Sequence, residues 1–443
     1  MDPRHKFYAA RQAPRYTSYP TAPHFTKAVN HQLFDRWLGE LPPQGELSVY
    51  VHVPYCRQIC WYCGCNTTAT LRDQPVAHFV DTILREIELV GERTNARQVH
   101  ELHWGGGTPN ILSPAQFTRI YHELDFWFDI HPSARHSVEV DPRYLTEEHV
   151  VAFAEANITR ASIGVQDFNA HVQQAIGRVQ PTNVVAAAIE RLREASIGEI
   201  NMDLLYGLPH QSISDLLRSV RTAASMQPQR IALFGYAHVP WFKRRQRLMD
   251  EKALPSPAHR FDQAEAARTE LAALGYIAIG LDHFALPRDE LALAARRGDL
   301  HRNFQGYVAG SAKPILGFGP SSVSTLPQGY AQNHQEVGAW ARAVSDEHLP
   351  VSRGHSLSDE DRRRAAFIEQ IMCTFAADLG LLGGAQACTN ELTLLQPLMD
   401  DGLVAVNGDS VTIPPPARQF CRLVAQAFDA YAPTAQTRHS TVV

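Results

Sequence analysis

Six short apolar runs, rich in residues that favour β-strands, alternate along the chain with longer segments whose apolar residues recur at helical spacing. The predicted strands cover residues 46–53, 98–104, 136–142, 159–165, 199–207 and 230–238. Strands that alternate with helices over short loops predict an α/β fold, in which helices cover a parallel sheet. Six such units fit an incomplete barrel as well as a doubly wound sheet, and periodicity leaves both architectures open.

The pattern changes towards both ends of the chain and divides it into three predicted segments. Residues 1–45 form an irregular arm with one helix in the stretch "HQLFDRWLGEL". Residues 46–354 carry the alternating strands and helices. From residue 355 helices follow one another without parallel strands between them, which predicts a smaller, mainly helical C-terminal domain at 355–443 with a short hairpin at 403–413. A chain of 443 residues has room for this organisation.

Residues that could bind ligands or take part in chemistry follow the predicted strands. In both architectures ligands gather at the carboxyl ends of the parallel strands. A cysteine-rich loop, the stretch "GGGTP" at 105–109, Asp141, Gln166, Asp203 and "AHVP" at 237–240 all occupy such positions. The sequence therefore predicts that these residues face one another across a single site.

Four of the seven cysteines stand within ten residues, as Cys56, Cys60, Cys63 and Cys65 in "CRQICWYCGC". A chain of this length with so few cysteines is not a secreted disulfide scaffold. The first 30 residues lack the apolar core of a secretory signal, and no apolar window approaches the ~20 residues that span a bilayer. We therefore expect a cytoplasmic, reducing environment, in which clustered thiols bind metal or perform redox chemistry.

The spacing of the thiols favours an iron–sulfur cluster over structural zinc. Zinc sites usually take two separated ligand pairs, and the sequence has no second pair downstream of this loop, so zinc is the less favoured alternative. Cys56, Cys60 and Cys63 are separated by three and then two residues. Three thiolates so placed can hold three irons of a cubane and leave the fourth iron open. Cys65 would have to fold back sharply to become a fourth ligand.

Nine stretches of the chain carry a family resemblance. They are "PRYTSYPTA", "CWYCGCN", "LHWGGGTP", "VEVDPR", "GVQDFN", "MDLLYGLP", "YAHVP", "DHFA" and "HRNFQGY". The CxxxCxxC motif after the first strand is similar to that of the radical S-adenosylmethionine superfamily. The nine stretches together, in order and spacing over nearly the whole chain, resemble the oxygen-independent coproporphyrinogen III dehydrogenases of haem biosynthesis. This resemblance implies an incomplete parallel (β/α)6 barrel with an N-terminal arm and a smaller helical C-terminal domain.

The resemblance also implies an oxidative decarboxylation by radical chemistry. Family members use a [4Fe-4S] cluster and S-adenosylmethionine to form a 5′-deoxyadenosyl radical, which takes a hydrogen from a propionate side chain of coproporphyrinogen III. Loss of carbon dioxide and one further electron leaves a vinyl group, and two such events give protoporphyrinogen IX. The reaction needs a low-potential electron donor and an electron acceptor, which the sequence does not identify. Because the cofactor performs the difficult step, no catalytic acid or base is assigned.

The site residues implied by the resemblance fall into three groups. The cluster ligands are Cys56, Cys60 and Cys63. The S-adenosylmethionine bound to the cluster would contact Tyr50, Gly106, Glu139 and Val323. A second S-adenosylmethionine would contact Tyr62, Gly107, Thr108, Gln166, Arg178, Asp203 and Ala237. The missing Cβ of glycine would let backbone amides approach the methionine group. The family often has phenylalanine at position 62 and can have isoleucine at position 323, so both differences preserve size and apolar contact.

Less specific interpretations compete with these assignments. The stretch "GGGTP" also fits an ordinary turn after a strand. Glu139 and Asp203 also fit structural ion pairs with nearby arginines, and Arg178 fits a solvated surface position. Cys65 fits either a spectator thiol or a gate on the site. The basic run "FKRRQR" at 242–247 fits an exposed helix face or a collar for a tetracarboxylate substrate.

Two other functions stay open at this point. One is a haem-binding chaperone of the same superfamily, a group that typically lacks both the last cysteine of the CxC and the "PRYTSYP" arm, which this chain has. The other is a radical haem-opening methyltransferase. A net charge of −5 argues against a nucleic-acid partner, and nothing in the sequence requires a second subunit, so a monomer is expected. Arg15 in the arm is a further candidate to grip a propionate.

Overall fold

The computed structural model describes residues 3–310, 314–432 and 441–442. The N-terminal segment contains α1 (Pro3–Ala9) and α2 (His31–Gly39). At the start of α2 the side chain of Asn30 accepts a hydrogen bond from the backbone N–H of Leu33, which satisfies one of the free amides of the first turn. The helix predicted within "HQLFDRWLGEL" is thereby confirmed as α2.

Strands and helices alternate through the middle of the chain. The first elements are β1 (Glu46–Val53), the short strands β2 (Tyr55–Cys56) and β3 (Thr68–Ala69), α3 (Asp73–Arg93), β4 (Gln98–Gly106), α4 (Pro114–Trp127) and β5 (Asp129–Val140). The next are α5 (Glu147–Glu155), β6 (Arg160–Gln166), α6 (Ala170–Ala175), α7 (Thr182–Glu194), β7 (Glu199–Tyr206), α8 (Ile213–Ser225) and β8 (Arg230–Gly235). All six predicted strands are confirmed, as β1, β4, β5, β6, β7 and β8.

Shorter strands dominate the remainder of the alternating region. They and their helices are α9 (Pro257–Ala273), β9 (Ile277–Ile279), β10 (His283–Ala285), α10 (Glu290–Arg297), β11 (Leu300–Asn303), β12 (Gly306–Ala309), β13 (Ile315–Phe318), β14 (Val323–Leu326), β15 (Gly329–Asn333), α11 (Val337–Ser345) and β16 (Val351–Ser356).

Helices dominate the C-terminal part. Its elements are α12 (Asp359–Thr374), β17 (Ala376–Asp378), α13 (Thr389–Asp400), β18 (Ala405–Asn407), β19 (Ser410–Thr412) and α14 (Cys421–Ala427). The predicted hairpin at 403–413 is confirmed as β18 and β19, which pair with β17 in a three-stranded sheet. Within the described part of the chain, no helix is both long and apolar enough to cross a bilayer.

One sheet of twelve strands organises the fold, in the order β16-β15-β14-β13-β1-β4-β5-β6-β7-β8-β10-β9. From β13 to β8 each strand pairs in parallel with its neighbour, whereas the strands at both edges pair antiparallel. The fold is therefore α/β with a mostly parallel sheet, as predicted. The six predicted strands lie side by side in chain order, and this order differs from that of a doubly wound sheet, which reverses near its middle.

Alternation along the parallel strands gives the sheet one apolar and one polar face. Val51, Trp104 and Ile163 are fully buried in the main core, together with apolar side chains of α3 and α4. The intervening positions point to the other face and line a cavity there with Glu101, His103, Ser137, Glu139, Ser162, Asn201 and Asp203. Because crossovers between parallel strands are right-handed, helices that join strands in chain order lie on one face. The polar face is thus left for ligands.

An ionic network closes the polar face near the amino ends of the strands. Arg160 Nη2 lies 2.5 Å from Glu199 Oε2 and 2.8 Å from Glu290 Oε1. Arg230 contacts Asp289 at 2.8 Å and Glu290 at 3.1 Å. Because each guanidinium here meets carboxylates, the charges at this end of the sheet compensate one another.

The sequence analysis missed the antiparallel strands at the two edges of the sheet. Those from β14 to β16, and β9 with β10, are three to six residues long, and β13, which joins the first group to β1, has four residues. Alternation over so few positions gives no usable period. The stretch "GFGPSSVSTLPQGYA" also contains many turn-forming residues, so it favoured loops rather than a meander of strands.

Both ends of the chain contribute to one apolar core. Tyr8 and Tyr16 of the arm are buried in the same cluster as Phe367 of α12 and Phe428. The hydroxyl of Tyr16 also donates a hydrogen bond to Asp429 at 3.0 Å. The division into three segments at residues 45 and 354 stays a prediction, and the first segment is packed against the third.

A buried carboxylate of α3 holds the turn between β13 and β14. Glu86 is 1% exposed and accepts hydrogen bonds from the Gly319 backbone N–H at 2.7 Å, from Asn333 at 2.6 Å and from the indole of Trp340 at 3.0 Å. Burial raises the pKa of Glu86 to about 7, while these hydrogen bonds oppose the shift. The three donors come from the turn, from β15 and from α11, so one side chain ties three elements together.

We expect Glu86→Ala to lower the free energy of unfolding by about 3 kcal/mol or more, because three buried donors lose their acceptor at about 1–3 kcal/mol each. Glu86→Gln keeps one acceptor oxygen and should cost less. Because the folded pKa of about 7 exceeds the ordinary value of 4.5, wild-type stability relative to Glu86→Gln should fall as pH rises through that window.

Urea unfolding of the metal-free protein, followed by circular dichroism at about pH 5 and about pH 8, measures both effects. Glu92→Ala, at an exposed position of the same helix, is the matched control and should change stability by less than about 0.5 kcal/mol. Equal stability of Glu86→Ala and wild type would contradict the assignment.

Candidate active site

A cavity lies at the carboxyl ends of the parallel strands. Eleven of the fourteen predicted site residues line it, namely Cys56, Cys60, Tyr62, Cys63, Gly106, Gly107, Thr108, Glu139, Gln166, Arg178 and Asp203. Tyr50 and Val323 line a larger, adjoining cavity, which shares Glu139 and Gly64 with the first. The carbonyl of Ala237 accepts a hydrogen bond from Gln246, which also binds the carbonyl of Tyr62. The structure thus brings the residues of all three predicted groups together.

The cysteine loop is held at both ends. Its flanks pair in parallel as β2 and β3, which fixes the two ends of the loop beside each other. Within it the backbone N–H of Cys63 donates to the carbonyl of Cys60 at 3.2 Å, and the N–H of Trp61 donates to the carbonyl of Ile176 at 3.0 Å. Cys60 is buried, whereas Cys65 is exposed. The tight turn holds the thiols of Cys60 and Cys63 in the wall of the cavity.

The thiols differ in how readily they ionise. A hydrogen bond from Cys65, with Arg245 and Lys243 nearby, lowers the pKa of Cys63 below its ordinary value. Burial raises the pKa of Cys56 to about 12, although a hydrogen bond with Thr67 opposes that shift. Thiolates are the form that binds iron, so Cys63 is better prepared for ligation than Cys56 before any metal arrives.

The basic run at 242–247 clamps the cysteine loop. Lys243 Nζ donates to the carbonyl of Cys65 at 3.2 Å, and Arg245 donates to the carbonyl of Thr67 at 3.0 Å. Gln246 is 1% exposed, and its amide donates to the carbonyl of Tyr62 at 2.9 Å. The sequence analysis considered an exposed helix face or a substrate collar for this run. Lys243, Arg245 and Gln246 instead reach a loop that lies nearly two hundred residues earlier, while the other two arginines of the run are exposed. Nothing in the local sequence signals that contact.

The glycines of "GGGTP" allow β4 to pack against the base of the cysteine loop. Gly106 has a φ of +111°, a conformation that residues with a Cβ rarely adopt. A Cβ on Gly107 would lie 2.4 Å from the carbonyl oxygen of Tyr55. The N–H of Gly107 donates to Val53 at 2.7 Å, and that of Gly106 donates to Glu139 at 3.2 Å. These amides already have acceptors, so the glycines contribute space rather than the free donors expected from the resemblance.

Two carboxylates of the cavity have no arginine partner among the described residues. Glu139 lies 3.3 Å from the imidazole of His103, and Asp203 accepts hydrogen bonds from Ser162 and Asn201. Burial, followed by the charge of Glu139, raises the pKa of Asp203 to about 6. The interpretation of these two residues as structural ion pairs with arginine is therefore wrong. His103, Ser162 and Asn201 were not singled out from the sequence, because each lies inside a strand.

Arg178 is buried against the cluster loop instead of being solvated. Its Nη1 lies 3.4 Å from the Cys60 sulfur and 3.3 Å from Asp141, and its Nη2 donates to the carbonyl of Gly164 at 2.6 Å. Asp141 also binds Arg143 at 2.6 Å, and this second arginine reaches the same sulfur at 3.9 Å. The arginines together lower the pKa of Asp141 against the effect of burial. The sequence analysis missed Arg143, although it lies in the stretch "VEVDPR".

Gln166 reaches the cavity through an irregularity in β6. The register with β7 shifts between Gly164 and Gln166, and Gln166 has a φ of +71°. Left-handed backbone at a residue other than glycine is strained and is frequent at functional sites. A Cβ on Gly164 would lie 3.1 Å from the side-chain nitrogen Nε2 of Gln166 and 3.3 Å from Nη2 of Arg178. The bulge therefore directs Gln166 towards the arginine that borders Cys60.

The donor set fits a cubane better than a single metal ion. Within the described residues no three His, Cys, Asp or Glu side chains converge on one point suited to a single ion. A cubane does not need such a point, since each thiolate binds its own iron. Cys56, Cys60 and Cys63 line one cavity, and four basic side chains border their loop. Those cations would compensate the negative charge that thiolate ligands and a cluster bring into a partly buried site.

Comparison with known proteins agrees with this geometry. A model described as the Radical SAM superfamily matches residues 50–223. The chain is 44% identical over 442 residues to the oxygen-independent coproporphyrinogen III oxidase of Bradyrhizobium diazoefficiens, covering 98% of each protein. It is 36% identical to the protein of the same name from Escherichia coli K12, covering 94% of this chain and 93% of that protein.

A solved structure extends the comparison to the fold. The structure described as "Coproporphyrinogen III oxidase (HemN) from Escherichia coli is a Radical SAM enzyme" superimposes with a TM-score of 0.90 at 34% identity. The match covers 95% of this chain and 100% of that one. The large, mostly parallel sheet is therefore shared with that enzyme.

We expect Gln246→Ala to loosen the cysteine loop, because the loop loses one of the hydrogen bonds that hold it to the segment after β8. Backbone amides in residues 57–66 should exchange about tenfold faster with deuterium, which corresponds to about 1.4 kcal/mol of opening free energy. Hydrogen exchange of the metal-free protein, followed by mass spectrometry, measures this without any cofactor. Arg247→Ala, exposed on the same run, is the control, and equal exchange in both variants would refute the clamp.

Proposed function

The chain belongs to the oxygen-independent coproporphyrinogen III oxidases of the radical SAM superfamily, and we propose that it converts two propionates of coproporphyrinogen III into vinyl groups, giving protoporphyrinogen IX. As a member of that family it is an oxidoreductase that uses a [4Fe-4S] cluster and S-adenosylmethionine. The observation that carries the proposal is the single cavity in which Cys56, Cys60 and Cys63 lie with Glu139 and Arg178, adjoining a larger cavity.

The three thiols would bind three irons of the cluster. When bound, the cluster and S-adenosylmethionine supply the one-electron chemistry that removes hydrogen from the propionate side chain. Arg178 and Arg143 border the sulfur of Cys60, and Lys243 and Arg245 hold the far side of the loop. These cations stabilise the thiolate forms, and the buried arginine keeps water from that side of the cavity.

We propose the two S-adenosylmethionine sites that the resemblance implies. The first comprises Tyr50, Gly106, Glu139 and Val323, and the second comprises Tyr62, Gly107, Thr108, Gln166, Arg178, Asp203 and Ala237. Glu139 belongs to both cavities, so its carboxylate can orient a ligand at their junction. Asp203 and Glu139 offer acceptor oxygens suited to an ammonium or to ribose hydroxyls. A ligand that donates to Asp203 would stabilise its ionised form, which burial disfavours.

The substrate would occupy the larger cavity. Its lining includes Tyr50 and His52 of β1, Gln305 between β11 and β12, and Thr17 and Ala22 of the N-terminal arm. We propose that the parallel strands curve around this space as the incomplete (β/α)6 barrel and that the arm covers its mouth. An arm that covers the mouth would exclude water during radical chemistry, which protects the reactive species.

Two alternatives considered from the sequence, a haem-binding chaperone and a haem-opening methyltransferase, are less well supported. Relatives that are 44% and 36% identical over nearly the whole chain carry the name of the oxidase. The "PRYTSYP" arm, which the chaperone group typically lacks, is present and well packed, with Tyr16 and Tyr19 each about 96% buried.

We expect the anaerobically reconstituted protein to convert coproporphyrinogen III in the presence of S-adenosylmethionine and dithionite. Each propionate should lose carbon dioxide and two hydrogens, so the product mass should fall in two equal steps. Mass spectrometry of the tetrapyrrole distinguishes this reaction from methyl transfer, which raises the mass. Unchanged substrate in the presence of a full iron complement would contradict the proposed function.

We expect Cys56→Ala, Cys60→Ala and Cys63→Ala each to lose iron, the broad ~400 nm absorbance of the reconstituted protein and turnover together, because each removes one iron ligand. Cys65→Ala is the matched control from the same loop and should keep its iron. Iron analysis and absorbance give the result independently of activity. Iron loss on changing Cys65, or an intact cluster after losing another of the thiols, would reopen the ligand assignment.

A further inference from the structure

A further pocket, lined by arginines, lies where the sheet, the N-terminal arm and the C-terminal helices meet. We call it the arginine pocket and define it by Arg15, Arg260, Arg302 and Arg422. They come from the arm, α9, β11 and α14. Asp282 is the one acidic residue among the described residues that line it. Arg268 also borders the pocket but lies 3.3 Å from Glu265 on its own helix.

Arg302 is buried in this pocket with two of its donor atoms unpaired in the described part of the chain. Its side chain is 6% exposed, and its Nη2 lies 4.0 Å from Asp282. Neither its Nε nor its Nη1 has a hydrogen-bond partner among the described residues. Asp282 is itself engaged by the imidazole of His283 at 2.7 Å. A buried guanidinium with unpaired donors is costly, so the pocket is built to receive an acceptor with negative charge.

Arg260 and Arg15 are oriented by carbonyl groups, which do not neutralise their charge. Arg260 donates to the carbonyl of Tyr236 at 2.8 Å, and its Nε has no partner within the described residues. Arg15 donates to the carbonyl of Gly235 at 3.0 Å and stays exposed to solvent. Burial and the nearby Arg15 lower the pKa of Arg260. The amino end of the sheet differs, because there each guanidinium meets carboxylates.

Residues close in sequence to those of the arginine pocket line the proposed substrate cavity at two places and the cavity on the polar face of the sheet at a third. Thr17, two residues after Arg15, lines the larger cavity. His283, next to Asp282, lines the cavity on the polar face of the sheet. Gln305, three residues after Arg302, lines that cavity and the larger cavity. At ~3.3 Å per extended residue these separations are roughly 3–10 Å. The propionate arms of one tetrapyrrole can bridge such a distance.

We propose that the arginine pocket binds a propionate carboxylate of coproporphyrinogen III that is not decarboxylated, and thereby determines which propionate reaches the cofactors. This inference rests on the proposed function. Two of the four propionates survive the reaction, so a carboxylate anchor remains available through both steps. A guanidinium binds a carboxylate through two parallel hydrogen bonds, and Arg302 has donors free for that purpose.

The test measures binding and orientation separately. The dissociation constant for coproporphyrinogen III is determined anaerobically on cluster-loaded enzyme without S-adenosylmethionine, so that no turnover occurs. Arg302→Gln and Arg15→Gln should each weaken binding about tenfold, because a charge-assisted hydrogen bond is lost. With S-adenosylmethionine present, the intermediate with one vinyl group should change from one dominant isomer in wild type to a mixture in the variants.

Controls keep the inference open to refutation. Arg15 is exposed, so Arg15→Gln should fold normally. If Arg302→Gln is unstable, Arg302→Lys is measured in its place, because it retains a positive charge. Arg297→Gln, at an exposed arginine outside the pocket, should leave binding and isomer composition unchanged. Iron content and circular dichroism confirm that each variant is loaded and folded.

The outcomes separate this inference from the function on which it rests. Unchanged dissociation constants and a single isomer in folded Arg15 and Arg302 variants, with active wild type, would overturn the inference and leave the function standing. If sodium propionate stabilised wild type against heat while Arg302→Gln bound coproporphyrinogen III normally, the pocket would take a free carboxylate and the substrate assignment would fail. Wild type that neither binds nor converts coproporphyrinogen III would overturn both.

Discussion

Parallel pairing of strands in chain order is the constraint on which the site depends. When successive strands run side by side in one direction, the loops that follow them emerge at one edge of the sheet, whatever the sequence distance between them. Cys56 follows β1, Gly107 follows β4, Asp141 follows β5, and Ala237 lies two residues beyond β8. The same alternation that buries valine and isoleucine beneath the helices leaves polar side chains on the opposite face. Core and cavity are therefore two products of one pattern.

Arginine serves three electrostatic purposes in this fold, and its surroundings decide which. At the amino end of the sheet Arg160 and Arg230 meet carboxylates, so their charges are compensated. Beside the cysteine loop Arg178 shares Asp141 with Arg143 and still approaches a sulfur, which suits a site where thiolates gather. In the arginine pocket, carbonyl oxygens orient Arg15 and Arg260 without neutralising them, and Asp282 is the one carboxylate among the described residues of the lining. Positive charge is thus gathered where the sheet, the arm and the C-terminal helices meet.

The sequence predicted those features whose signal is local or repeated. β1 was predicted with its observed bounds because eight residues of an apolar run are enough to show a strand. The cysteine loop was predicted as a metal or redox site because four cysteines stand within ten residues. The antiparallel edge strands were missed because three to six residues show no period.

Contacts between distant segments were missed for another reason. The amide of Gln246 binds Tyr62, and Glu86 binds Asn333, and such pairings depend on how the strands are arranged in space. The family resemblance placed most cavity residues but did not anticipate that the amides of Gly106 and Gly107 are already bonded.

The shared core of the arm and the C-terminal helices has a consequence for the order of events during synthesis. Thr17 and Ala22 help to wall the larger cavity, yet their neighbours Tyr8 and Tyr16 find their packing partners in helices near the opposite end of the chain. The arm leaves the ribosome before those helices and must wait for them before it can dock. A nascent chain can therefore complete much of its sheet and its cysteine loop before the arm has the partners that fix it beside the cavity.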